Sequence, residues 1–355
     1  MLKWANLFPK NIKHQHLLVF FFIYRKAIYF YKMILITGAS GLVGLHLIKQ
    51  LSEEEIPIRA LYHSSIPKFL DGTIEKNIEW FQCDLLDIIS LEIAFASITH
   101  VYHCAAIISY DKRLHEKMKE INIEGTANVV NFSIEKNIQK LIHVSSIAAV
   151  GKEVDGNVIT EKTEWVKDGK TSAYSESKFF GEMEVFRGIG EGLNAAIINP
   201  AIILGEGNWD KSSSNLFKIV HAEFPYFTNG ASAWVDVKDV VKAMILLMKS
   251  EINNQRFILS AGNFSFKEIF TMMAQSMNKK PPNKFAARWM TELVWRLTYI
   301  ESIITGKVAT ISKETAHSAQ QISNYDNSKF LKQFPDFKYE KIGITIDRIG
   351  KNFVS

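Results

Sequence analysis

Cysteine is nearly missing from this chain: Cys83 and Cys104 are the only two among 355 residues. They form no Cys-x-x-Cys or Cys/His spacing. That excludes a disulfide-stapled framework and a cysteine-built metal site, and it suits a reducing compartment, so two buried thiols near strand ends and a cytoplasmic location are expected. Long apolar runs are also lacking. Leu17 to Tyr24 is apolar, but Arg25 and Lys26 interrupt it before Ala27 to Tyr31, far short of the roughly 20 residues that span a bilayer. No small-residue cleavage site follows, as a signal peptide would need. Acids are absent from residues 1–32, where Lys3, Lys10, Lys13, Arg25, Lys26 and Lys32 hold six of the 42 basic side chains. The net charge of +5 is therefore local, and the rest of the chain balances its 37 acids. No basic stripe with interleaved aromatics marks a nucleic-acid surface. Residues 1–32 are read as a leader outside the working protein, because Met33 can itself initiate ahead of Ile34-Leu35-Ile36-Thr37; a basic segment resting on a membrane surface is the second reading.

What is present is ordinary globular material, 47% hydrophobic and 22% charged, with length for one large domain or two modest ones. Short apolar runs alternate with helical patterns, the mark of a parallel sheet covered on both faces. Strands are expected at Ile34–Thr37, Ile58–Tyr62, Ile78–Gln82, His100–Cys104, Leu141–Ser145 and Ala195–Asn199. Helices are expected at Leu42–Glu54, about Leu91–Ser97, about Leu114–Lys136 and Tyr174 to about Gly188. Ala233–Val235, a helix over Asp239–Lys249 and Arg256–Ser260 read as a return to the same sheet. The expected fold class is thus α/β, a Rossmann-type doubly wound parallel sheet over 33–202 and 231–262. A smaller, mostly helical substrate lobe is expected from 203–230 and 263–350, punctuated by Pro225, Pro281, Pro282 and Pro335.

Two stretches carry the chemistry. Thr37-Gly38-Ala39-Ser40-Gly41-Leu42-Val43-Gly44 follows a strand run and opens a helix pattern. Glycines there let the backbone approach a pyrophosphate and let helix and strand pack closely, while free N–H groups and the positive end of the helix dipole face the anion. Tyr174-Ser175-Glu176-Ser177-Lys178 puts a phenol and an ammonium on one helix face, a pair suited to acid–base work on a carbonyl. A free phenol has a pKa of about 10, so a neighbouring positive charge from Lys178 is expected to favour phenolate. Tyr325-Asp326-Asn327-Ser328-Lys329 repeats the spacing, but after the whole sheet and among turn formers, and is read as a surface turn or fixed corner. His103 and His143 lie inside strand runs and are read as packed residues rather than metal ligands. Phe285 to Ile304, with Trp289, Trp295 and Tyr299, reads as core at helical spacing, with the lining of an apolar substrate pocket as its rival.

In their order, these residues resemble the extended short-chain dehydrogenase/reductases, also called the NAD-dependent epimerase/dehydratase family, over about residues 33–262. The resemblance rests on the glycine turn, Asp84-Leu85 after the third strand and Cys104-Ala105-Ala106 after the fourth. It continues through Asn122-Ile123-Glu124-Gly125-Thr126, Val144-Ser145-Ser146, Tyr174-x-x-x-Lys178 and Asn199-Pro200-Ala201. It implies catalytic roles for Tyr174, Lys178 and Ser146, the last chosen over Ser145 because Gly151 follows it by five. Asn122 would link to Lys178 through water. Cofactor contacts are implied for Gly38, Ser40, Gly41, Leu42, Val43, Gly44, Asp84, Leu85, Ala105, Ala106, Ser145, Tyr174, Lys178, Asn199, Pro200 and Ala201. At the second strand's end His63 and Ser64, with Lys68 downstream and no acid, favour NADP(H) over NAD(H). Ile147-Ala148 stand where sugar-nucleotide dehydratases carry Asp-Glu, and Ala149-Val150-Gly151 departs from the epimerases' Val-Tyr-Gly. What remains is similar to the dihydroflavonol-reductase and hydroxysteroid-dehydrogenase branch, which implies reduction of an apolar ketone or aldehyde, or the reverse. Sugar-nucleotide epimerisation is the alternative and a retired nucleotide-binding protein the second. A homodimer is also implied.

Overall fold

The first strand, β1 (Met33–Thr37), is apolar up to its closing threonine and lies inside a seven-stranded sheet, third from one edge, in the computed structural model, which describes residues 33–54, 56–66, 77–152, 158–169, 171–209, 212–305 and 311–354. The leader and Lys68 fall outside the described residues. After β1 come α1 (Leu42–Ser52), β2 (Ile58–Tyr62), β3 (Ile78–Gln82), α2 (Ile88–Ala94) and β4 (Ile98–His103). α3 (His115–Lys119), a π-helical turn at Glu120–Glu124 and α4 (Gly125–Glu135) run on without a break to β5 (Lys140–Val144). Next are α5 (Ala173–Gly190), β6 (Ala195–Pro200), β7 (Ile202–Leu204), α6 (Asn215–His221) and β8 (Tyr226–Phe227). β9 (Ala231–Asp236), α7 (Val237–Lys249), β10 (Gln255–Leu259), β11 (Gly262–Ser265), α8 (Phe266–Ser276) and β12 (Lys284–Phe285) follow. Four helices close the chain: α9 (Arg288–Thr305), α10 (Lys313–Ser318), α11 (Ser328–Gln333) and α12 (Ile342–Val354).

The large sheet runs β3-β2-β1-β4-β5-β6-β10 with every neighbouring pair parallel. Strand alternation splits its core in two. Ile34, Ile36, Ile142, Val144 and Ile198 face α1 and α7, whereas Leu35, Val101, Leu141 and Ile197 face α2, α4 and α5. Chain direction across the sheet reverses between β1 and β4, so the crevice beyond their carboxyl ends is where such a sheet receives a ligand. There Thr37, Gly38, Cys104 and Ala105 meet.

Three sequence expectations change. Ala233–Val235 does not rejoin the large sheet: β9 pairs with β7 and β11 in a separate three-stranded sheet, while α7 and β10 do return. Trp234 decides this, because its fully buried ring packs in a second core with Phe217, Ile269, Met273 and Ile346. The helix expected near Leu91–Ser97 begins earlier, at Ile88, because the Asp87 carboxylate accepts from the Ile89 and Ser90 N–H groups. It ends at Ala94, ahead of Ser97 in a left-handed conformation at φ 65°. The helix expected over Leu114–Lys136 is interrupted by the π turn, which places Asn122.

Candidate active site

The glycine turn is built for close approach. Gly38 has φ +65°, and a Cβ on it would lie 2.6 Å from the Ala105 backbone. A Cβ on Gly44 would lie 2.4 Å from the Gly38 carbonyl oxygen, so α1 can pack on the turn only without a side chain there. Gly41 caps α1 with no side-chain acceptor, and no acid occupies its first turn. The N–H groups at that end and the dipole behind them are left to an outside anion. Ser40 is exposed, while Leu42 and Val43 are half-buried. These residues fit the pyrophosphate of a dinucleotide.

Farther out, His63 Nδ1 lies 2.9 Å from Ser64 Oγ, and His63 Nε2 lies 3.7 Å from the Asp84 carboxylate. The acid missing from β2 thus arrives from beyond β3, with its other oxygen accepting from Leu86 N–H. Arg59 points elsewhere, donating to the carbonyls of Ala94 and Ala96 and pairing with Glu79. Leu85 is buried, and its carbonyl accepts from Asn128.

A proton chain runs behind the crevice. Ala105 N–H donates to Thr37 Oγ1, which lies 2.7 Å from His103 Nδ1, and His103 Nε2 lies 2.9 Å from Thr126 Oγ1. Thr126 Oγ1 donates to the Asn122 carbonyl, so it must accept from His103. His103 is then the neutral Nε2–H tautomer, with Nδ1 accepting from Thr37. Burial pushes its pKa down to about 3, so His103 serves as a fixed strut between the glycine turn and the π turn. His143, whose ring stacks 5.0 Å from that of His103, is also buried and held well below the usual range by desolvation.

At the carboxyl end of β5 Ser146, Tyr174 and Lys178 come together. The Ser146 hydroxyl accepts from Ala148 N–H and lies beside the Tyr174 phenol, whose ionised form it favours. Tyr174 opens α5, which Ser172 caps and which Ser175 pins to the Ala148 carbonyl. The Tyr110 ring stands edge-on to Tyr174 at 6.1 Å and walls the site there. Lys178 is buried, its Nζ donating to the Val144 carbonyl at 2.8 Å, and burial lowers its pKa to about 8 against the opposing charge of Glu182. The expected depression of Tyr174 is reversed. Burial raises its pKa, opposed only by the Ser146 hydroxyl, because the Lys178 ammonium is turned to the Val144 carbonyl.

Asn122 is placed by the π turn with its side chain spent on protein. Its Oδ1 accepts from Ile107 N–H, and its Nδ2 donates to the Ile107 carbonyl and to Ser177 Oγ, beside Lys178 in sequence. It fastens the loop after β4 to α5. Asn199 lies under the site, donating to the Ser146 carbonyl at 3.0 Å and to Glu182 at 2.7 Å. Pro200 and Ala201 continue the buried end of β6. The Ser145 hydroxyl is buried and has no partner among the described residues, and burial pushes the pKa of the Cys104 thiol up to about 12 although the residue as a whole is partly exposed.

Sequence reading missed Glu182, fully buried and paired with Arg256 at 2.9 Å. Its spacing of four from Lys178 was a usable signal. Nothing local in the sequence pointed to Arg256, which arrives from β10, or to Tyr110.

The sequence profile of the NAD dependent epimerase/dehydratase family matches residues 34–259. A protein of Synechocystis sp. provisionally named dihydroflavonol 4-reductase is 24% identical over 309 residues, 84% of this chain and 88% of that one. Cinnamoyl-CoA reductase 1 of Petunia hybrida is 28% identical over 267 residues, 70% of this chain and 79% of its own. Among solved structures, that of gox2253 has a TM-score of 0.74 at 24% identity, covering 89% of this chain and 96% of that one, a likeness of fold.

Proposed function

The chain belongs to the NAD dependent epimerase/dehydratase family, and we propose that it reduces a ketone or aldehyde on an apolar small molecule to an alcohol, or runs the reverse reaction. The observation that carries this reading is the Tyr174 phenol, desolvated, beside Ser146 and faced edge-on by the Tyr110 ring. A raised pKa keeps the phenol protonated near neutrality, as a proton donor to a carbonyl oxygen must be. The Ser146 hydroxyl donates to the same oxygen as charge develops on it. Lys178, protonated below about pH 8, is held on the Val144 carbonyl one helical turn away and would support the phenolate left behind by turning from that carbonyl. A bound nicotinamide cofactor would supply the hydride. Asn122 and Asn199 are positioning residues, holding α5 and the Ser146 backbone.

NADPH is the proposed cofactor. The glycine turn with Ser40, Leu42 and Val43 would hold the pyrophosphate, Asp84 and Leu85 the adenine, and His63 and Ser64 a ribose 2′-phosphate, which the Asp84 carboxylate 3.7 Å from His63 Nε2 opposes. Ala105, Ala106, Ser145, Pro200 and Ala201 line the path between the cofactor and the reacting end. NADPH is expected to bind more tightly than NADH, and Ser64→Asp to erase or reverse the difference in a fluorescence titration; tighter NADH binding by the unmodified protein would refute this choice.

A panel of apolar ketones and aldehydes against UDP-sugars tests the reaction. Stoichiometric loss of NADPH absorbance with an apolar carbonyl supports the proposal. Interconversion of a UDP-sugar on tightly retained NAD, with no net change in the cofactor, would replace it with epimerisation.

A further inference from the structure

Helix α9 is inside out. None of its residues is buried, and the face it turns to the protein is mostly polar, with Trp295 and Met290 half-buried among Thr291, Glu292, Thr298 and Ser302. Thr298 Oγ1 donates to the Ile311 carbonyl, Gln320 reaches Thr291, and Glu292 takes His317. Trp289, Leu293, Leu297, Ile300 and Ile304 recur at three- and four-residue intervals and so share the opposite face. All five are exposed, Trp289 by 68% and Ile304 by 78%. The sequence expectation that Phe285 to Ile304 forms core is therefore overturned, because the large apolar side chains point away from the protein. In water such a face is unfavourable, and a contiguous exposed apolar stripe marks a contact surface.

Charge says what it contacts. Between Glu268 and Glu292 the chain carries Lys279, Lys280, Lys284 and Arg288 and no acid, and Lys280, Lys284 and Arg288 are exposed. This basic segment leads directly into the apolar stripe, a sequence of features suited to lipid headgroups followed by acyl chains. The helix also borders the active site: Lys112 Nζ lies 5.3 Å from the Tyr299 ring, two residues beyond the Tyr110 whose ring stands edge-on to Tyr174. Among the described residues no helix is long and apolar enough to cross a membrane.

We propose that α9 lies in the surface of an anionic membrane, with its Trp289–Ile304 stripe among the acyl chains and the 279–288 segment on the headgroups, so that the substrate cleft opens at the lipid. Entry of substrate from the bilayer rests on the apolar-carbonyl reading above; the membrane contact does not.

The test is co-sedimentation of the full-length protein with vesicles of phosphatidylcholine alone or mixed with phosphatidylglycerol. Binding is expected only to the mixed vesicles and should weaken with salt. Leu297→Glu with Ile300→Glu should lower it at least tenfold, and Lys280→Glu with Lys284→Glu should remove the preference for phosphatidylglycerol. All four side chains are exposed, so NADPH binding, followed by fluorescence, should stay at the unmodified value and report an intact fold. Equal binding by all variants would assign the contact to another segment, residues 1–32 included, and overturn the proposal. So would an absence of binding combined with a dimer that the double glutamate variant dissolves, which makes a second copy the occupant. Loss of turnover on water-soluble carbonyls without vesicle binding would overturn it too, by making the stripe a wall of the cleft. Failure of the reductase assay alone leaves the vesicle result standing.

Discussion

Tyr-x-x-x-Lys occurs twice, and the copies differ in what surrounds them. At 174–178 the motif rides a capped helix, so phenol and amine project together, and the phenol meets Ser146. At 325–329 the backbone does the work. Tyr325 N–H donates to Asn263 and Asp326 N–H to the Ile159 carbonyl, while Asn263 donates to the Tyr325 carbonyl. Both lysines end on a carbonyl, Lys178 on Val144 and Lys329 on Arg256, and burial lowers the pKa of both. They part in their neighbours. Glu182 opposes the shift at Lys178, whereas Lys329 faces Glu161 together with Arg256 and Lys162. A spacing supplies a shared helix face only when a helix is present, and chemistry only when a third group waits beside it.

The sharpest way to break this contrast is at the phenols. Tyr174→Phe removes the proposed proton donor, and loss of a positioned acid costs typically 10² to 10⁴-fold in rate. Turnover should fall by about that much, with cofactor affinity unchanged. Tyr325→Phe should leave turnover within about twofold of the unmodified protein, because the bonds it makes to Asn263 are backbone bonds. Comparable losses in both variants would erase the distinction.

The lysines separate in stability. Lys178 falls from 10.5 to about 8, so between those values the unfolded chain binds more protons than the folded one. The burial penalty is fully present below about pH 8 and fades as pH rises towards 10.5. Lys178→Met should therefore raise the unfolding free energy of the cofactor-free protein in urea at pH 7, by at most about 3 kcal/mol less about 1 kcal/mol for the Val144 carbonyl left unpaired. The gain should vanish at pH 10, while turnover is lost. Lys329→Met, at a half-exposed site, should show a smaller gain or none. A Lys178→Met variant less stable than the parent at pH 7 would show that the ammonium holds the site together.

Much of this was legible in the sequence because it is local. The strands of the large sheet announce themselves as short apolar runs, and the glycine turn declares its geometry through residues that tolerate no Cβ. The chain-order argument that set Tyr174 apart from Tyr325 also needs only the succession of strands. Illegible parts depend on what the chain brings from afar. Trp234 follows a run that reads like another strand of the large sheet, yet its ring selects a second core. Asp84 reaches His63 from the next strand, so inspecting the end of β2 alone misses an acid. Helix α9 shows the limit most plainly: apolar residues at helical spacing predict an amphipathic helix, but periodicity is silent on which face meets the protein.

The smallest effect concerns Glu182. Its carboxylate, fully buried, accepts from Asn199 and pairs with Arg256, and it stands one turn beyond Lys178, whose proton it helps retain. Neutralising it in Glu182→Gln should lower the Lys178 pKa further, so the alkaline limb of the kcat profile should move to lower pH by about one unit or less. Turnover at pH 6 should be nearly unchanged per folded molecule, and the deficit should open as pH approaches 8. Breaking a buried ion pair also destabilises the fold, so the absolute rate is a poor readout. The position of the limb is not, because it is independent of the fraction of protein that is folded. A limb that stays in place while stability drops would make Glu182 a strut for Arg256 and Asn199 with no hold on Lys178, and the chemical difference between the two lysines would then rest on Ser146 and the helix alone.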